Sequence, residues 1–116
     1  MTSQGIPQSR FQRAIQRGHL FDAELAAREL GHLHLAAALE LVALIAKDSP
    51  ARYGRTAVRW HGRFSLEAKD LTLRESQLAL AALASLPADE EGARQVLDRL
   101  ARLHRVAGFQ LKHAAP

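Results

Sequence analysis

The residues of this sequence best suited to chemistry are arginines. Arg52, Arg55, Arg59 and Arg63 recur at three- and four-residue intervals, so on a helix turning 100° per residue they share one strip. Tyr53, Ala57, Trp60 and Phe64 form the adjacent strip. A helix of this kind can bury its aromatic seam and offer guanidinium groups to phosphates or carboxylates. Arg10, Arg13 and Arg17 repeat the spacing of Arg52, Arg55 and Arg59, and if the two helices lie side by side the rows merge into one basic face. The competing expectation is a solvated face, or arginines paired with Glu24, Glu29, Glu40 or Glu67, because charged strips are the ordinary outer face of amphipathic helices.

Other chemistry is weaker. Arg59-Trp60-His61-Gly62-Arg63 sets an indole between cations, as single-strand binders do, but Trp60 lies in register with Tyr53 and Phe64 and reads as a core anchor. His32 and His34 beside Glu29 offer two metal ligands, with no third or fourth at a recognised spacing. His19 and His32 bracket one helix and stand roughly 20 Å apart at 1.5 Å per residue. No metal and no other cofactor is expected. Hydrolase elbows, phosphate-binding glycine loops, zinc-protease signatures and dinucleotide fingerprints are all missing from the sequence. Asp89, Glu90 and Glu91 follow one another at a helix start and cannot face one reacting centre. The expectation is a protein that is not an enzyme, a dispersed catalytic site being the alternative.

These residues need helices to position them. Apolar residues recur at helical spacing and no alternating β-branched run suggests a strand. The first helix is expected from Gln8 to Arg17, stopped by Gly18, and the second from Leu20 to Leu30, stopped by Gly31. Their short loop makes them an antiparallel hairpin. The third, Leu33 to Lys47, is apolar nearly all round, so Leu39, Leu41, Val42, Leu44 and Ile45 are expected to be buried. Ser49-Pro50 opens a fourth helix to Leu66, the Thr72 and Glu75 capping box opens a fifth ending before Pro87, and a sixth starts near Asp89. The fold class is therefore all-α, a compact bundle of five to six helices built from antiparallel hairpins.

A 42-residue offset superposes Arg10, Phe11, Arg13 and Arg17 on Arg52, Tyr53, Arg55 and Arg59, and Ala38-Leu39 recurs 41 residues later as Ala79-Leu80. Two degenerate repeats are one reading of this and chance in an Ala-, Leu- and Arg-rich chain the other. The 116 residues suffice for one core. One domain is expected over 7–107, with 1–6 and 108–116 as flexible ends. The +4 net charge lies wholly in the first half: to Arg63 there are nine basic and five acidic residues, and from Phe64 onward seven of each. The lack of cysteine, of a signal-like apolar start and of an uninterrupted apolar span points to a cytoplasmic protein that does not enter membranes.

Pro50 to Leu66, reading PARYGRTAVRWHGRFSL, with the Gly18-His19-Leu20 turn and the run ending at Leu41, resembles small all-helical proteins of high-GC bacteria. The resemblance spans Phe11 to Leu86 and implies a natural single-domain protein; no activity and no functional residue follow from it. The functional expectation rests on the residues alone. It is a non-enzymatic helical interaction module, binding a protein partner or forming a homodimer, with Phe109 and Leu111 as apolar contacts beyond the last helix. The alternative is a nucleic-acid-binding accessory protein using the arginine-rich faces of helices 1 and 4.

Overall fold

The computed structural model describes residues 5–109, with six helices and no strand among them: α1 (Gly5–Arg17), α2 (Leu20–Leu30), α3 (Leu35–Asp48), α4 (Pro50–Glu67), α5 (Leu73–Ser85) and α6 (Glu90–Leu103). Consecutive helices pack as hairpins, α1 on α2, α3 on α4 and α5 on α6. This is the all-α bundle the periodicity implies.

The boundaries follow local chemistry. Gly18, at φ 74°, ends α1: its N–H reaches the Ile15 carbonyl while His19 N–H reaches that of Ala14, a closure that needs a left-handed residue between. Thr72 and Glu75 form the reciprocal capping box of α5, and Asp89 accepts from Gly92 N at 3.1 Å to open α6. Two helix starts are capped differently from the sequence reading. The third helix begins at Leu35 rather than Leu33, because the His34 imidazole caps it, Nδ1 accepting from Ala37 N at 3.2 Å. Ser49 precedes Pro50 as expected but makes no side-chain cap bond.

The third helix serves two cores. Leu35, Leu39, Val42 and Ala43 face the larger one, with Tyr53, Trp60 and Phe64 of α4, Ala79, Ala82 and Leu83 of α5, and Leu97, Leu100 and Ala101 of α6. Ala37 and Leu44 face the smaller one, with Phe11, Ala14, Ala23 and Ala26 of the first hairpin. Four of the five expected core residues, Leu39, Val42, Leu44 and Ile45, are buried. Leu41 is only half-buried, because it lines a cleft beside α4.

The polar atoms of the two large rings that carry them in the larger core, Tyr53 and Trp60, are partnered. Tyr53 Oη donates to the Leu83 carbonyl at 2.7 Å and Trp60 Nε1 to the Leu35 carbonyl at 3.0 Å. The Trp60 and Phe64 rings stack with centroids 5.4 Å apart, so Trp60 is the core anchor expected from its register. Val106 and Phe109 belong to this core as well. The larger core thus extends to Phe109, and α1 begins at Gly5.

The repeat does not carry over into three dimensions. Its offsets align Leu39, 2% exposed, with Leu80, 45% exposed. They also align α1, paired with the helix that follows it, with α4, paired with the helix before it. Equivalent residues of a repeat should occupy equivalent environments.

Candidate interaction surface

The seven arginines of the two rows divide into pairs and free groups. Arg10 is bound by Glu29, Arg52 by Glu24, and Arg63 by Glu67, whose Oε2 accepts from Nη2 at 3.0 Å while Nη1 donates to the Leu33 carbonyl at 2.9 Å. The hydrogen bond to Glu24, and then its charge, raise the Arg52 guanidinium above its ordinary pKa. Arg13, Arg17, Arg55 and Arg59 have no ion-pair partner among the described residues and point to solvent.

These pairings also decide whether the rows merge. The first helix packs on α2 and α3, and the fourth on α3 and α5. Helix α2 stands between the two rows, its Glu29 holding Arg10 and its Glu24 holding Arg52. The leading arginine of each row is thus neutralised by the same helix. Two separate basic patches result, in place of the single face expected if α1 and α4 were neighbours.

Each patch borders a cleft. Arg55 and Arg59 line one of about 680 Å³ with Glu24, Arg52 and Thr56, over Leu41 and Ile45. Arg13 and Arg17 line another of about 220 Å³ between α1 and α2, with Leu25 in its wall. A third cleft, about 670 Å³ between α3 and α6, is acidic, but its carboxylates are largely occupied: Glu40 and Glu90 share Arg94, and Asp98 holds Arg102.

Across the described residues the internal pairing is lopsided. Besides the four free arginines of the rows, Arg28, Lys69, Arg74, Arg99 and Arg105 have no carboxylate within ion-pair distance. Only Asp48, Asp70 and Glu91 are unengaged acids, Asp89 being the α6 cap. The molecule consumes its own negative charge and leaves positive charge available.

The expected apolar contacts need correction. Phe109 is 6% exposed and seated in the larger core, its carbonyl accepting from Arg102 Nε at 2.9 Å, so it offers no outer surface. Leu111 lies outside the described residues. Sequence reasoning missed instead the exposed side chains of α2, Phe21 at 75% and Leu25 at 39%. The signal was present as spacing: Phe21 and Leu25 fall on a different strip of α2 from the buried Ala23 and Ala26.

The histidines serve as structural ties. His61 Nε2 lies 2.9 Å from the Ser76 carbonyl and 3.1 Å from Ser76 Oγ. A carbonyl only accepts, so Nε2 carries the proton and cannot take one from that hydroxyl. This arrangement fastens α4 to α5 and does not activate a serine. His104, buried, faces the Lys69 carbonyl with Nδ1 at 2.7 Å and Glu75 Oε1 with Nε2 at 3.0 Å. The second approach is a close contact without a hydrogen bond. No group of three or more metal-ligating side chains occurs among the described residues, and none of their helices is long and apolar enough to cross a membrane.

Comparison with known proteins returns no family model, no curated protein and no solved structure that matches the chain.

Proposed function

We propose that this protein is a non-enzymatic helical interaction module that works in the cytoplasm by binding another protein. One observation carries the reading: unpaired guanidinium groups border exposed apolar side chains, while nearly all carboxylates are engaged within the molecule. Apolar surface supplies affinity and unpaired charge supplies orientation and choice of partner. The absence of cysteine from the sequence fits a reducing compartment.

A second reading, nucleic-acid binding through the arginine faces of α1 and α4, is favoured by the free pairs Arg13 and Arg17, and Arg55 and Arg59. The pairing of Arg10 with Glu29 and of Arg52 with Glu24 weighs against it, since it takes the leading cation of each row out of phosphate contact. A salt titration of binding to duplex and single-stranded DNA, with wild type and an Arg55→Ala/Arg59→Ala variant, tests the choice. Feeble association, abolished at physiological salt and equal in both proteins, is expected. A steep salt dependence whose log–log slope falls by nearly two units in the variant, at roughly 0.9 per phosphate contact on duplex DNA, would overturn the interaction-module reading.

A further inference from the structure

We propose that the outer face of the α1–α2 hairpin is the docking site for an acidic amphipathic helix of a partner protein, an inference that rests on the interaction-module reading and names its site and partner class. Phe21 and Leu25 lie one turn apart on one strip of α2, and Arg28 extends the strip by three residues. Phe21 is three-quarters exposed. An exposed phenylalanine followed one turn later by an exposed leucine forms an apolar ridge that no other described residue covers.

The ridge is flanked by positive charge. Leu25 forms one wall of the cleft that also holds Arg10, Arg13, Arg17, His19 and Asp22. Arg10 is already engaged by Glu29, and the one acid there, Asp22, faces the His19 imidazole at 3.8 Å, a charge pair only when that ring is protonated. Arg13 and Arg17, one turn apart on α1, remain free, as does Arg28 on the ridge itself. A helix laid along the ridge would bury apolar side chains at i and i+4 over Phe21 and Leu25, and place flanking carboxylates against these guanidinium groups.

The charge inventory selects the occupant. A second copy of the chain has three unengaged carboxylates, Asp48 at the end of α3, Asp70 after α4 and Glu91 in α6. They sit on separate elements and form no acidic strip. A nucleic-acid duplex would satisfy the arginines but leave Phe21 and Leu25 without apolar cover. A partner helix with both an apolar and an acidic strip satisfies both features.

The test uses a synthetic peptide of about 18 residues, five helical turns, with Leu at heptad positions a and d and Glu at e and g. Its binding to the full chain is followed by calorimetry at low and physiological salt. Binding is expected to weaken about tenfold with Phe21→Ala, and by a similar factor with Arg13→Ala/Arg17→Ala. Exchange of the peptide's Glu for Gln should remove the salt dependence along with most of the affinity. The Arg55→Ala/Arg59→Ala variant should bind as wild type does. All these side chains are exposed, and a thermal melt of each variant verifies its fold. Equal binding by wild type and Phe21→Ala, loss only in the Arg55→Ala/Arg59→Ala variant, or no binding at millimolar peptide would each overturn this site. Preference for a DNA duplex or for phosphatidylserine vesicles over the peptide would overturn the partner class. The interaction-module reading fails on a different result, the steep DNA salt dependence lost with Arg55 and Arg59.

Discussion

The packing of the α1–α2 hairpin on α3 and the packing of α3 against α4, α5 and α6 are made of different materials. The first buries fully only Phe11 and Leu44 among alanines, Ala14, Ala23, Ala26 and Ala37, with Ile15, Leu20, Leu30, Leu33 and Leu41 partly buried at its margin. The second joins Tyr53, Trp60, Phe64 and Phe109 to a set of leucines. Alanine allows close approach of helices but removes little area from water, and stabilisation scales at about 25 cal/mol per Å². The hairpin is therefore the more weakly held region. It also carries the exposed Phe21 and the free Arg13 and Arg17. Docking surface and stable frame occupy different parts of the molecule, with α3 as their shared wall.

The largest effect expected from this division belongs to Phe64, which has no exposed surface and stacks on Trp60. Phe64→Ala should cost about 3–5 kcal/mol, a large share of a small domain's stability, and lower the urea midpoint of every helix together. Phe11, 1% exposed, is the corresponding residue of the smaller core. Phe11→Ala should cost about 2–4 kcal/mol but act locally: amide exchange should accelerate in α1 and α2 while α4 to α6 keep their protection. Uniform acceleration across all six helices would erase the distinction between the regions.

What the sequence disclosed of these regions follows the range of the interaction involved. Gly18, Gly31, the Thr72 and Glu75 box and Asp89 act within a few residues, so the helices they bound were legible. The environment of a helix face depends on distant neighbours. Spacing put Leu41 in the core and position past the last helix put Phe109 outside it; the fold leaves Leu41 half-buried, packed on the smaller core but open to a cleft, and buries Phe109, whose carbonyl Arg102 holds. The arginine rows were legible as strips on helices. Their division into paired and free groups was not, because it depends on where α2 presents Glu24 and Glu29.

Alkaline pH offers a probe confined to the larger core. Burial pushes the Tyr53 phenol up to about 12, above the ordinary value near 10 that it regains on unfolding. The folded state thus holds a proton that the unfolded state loses. The associated stability is fully present below about pH 10 and is lost as pH rises through about 12, at most about 2–3 kcal/mol. Urea denaturation between pH 9 and 11.5 should show this fall in wild type, with a shallower one in Tyr53→Phe. Identical slopes would mean that the phenol is not sealed in the core.

The smallest expected effect lies at the seam between α5 and α6. Thr72 Oγ1 accepts from Glu75 N, and Glu75 Oε1 accepts from Thr72 N, both at 3.0 Å. Thr72→Ala should remove about 1 kcal/mol, because one N–H at the helix start loses its acceptor. The Thr72 N–H, and secondarily His104, hold the Glu75 carboxyl below its ordinary value. A carboxyl lowered in the folded state contributes stability above its unfolded pKa and loses it as pH falls through its folded pKa. Thr72→Ala keeps that backbone bond but removes the one that Thr72 Oγ1 donates to Glu75 Oε1 at 3.0 Å, so its acid sensitivity should be slightly weaker than that of wild type, whereas Glu75→Gln should flatten the decline as pH falls through the carboxyl range, measured by denaturant midpoints. Because Glu75 Oε1 lies 3.0 Å from His104 Nε2, loosening there should reach α6 and the Lys69 loop that His104 grips. It should stop at α3. If either substitution speeds amide exchange in α1 and α2 as much as in α5 and α6, the two cores open as one cooperative unit, and the hairpin's softness cannot be what suits it to docking.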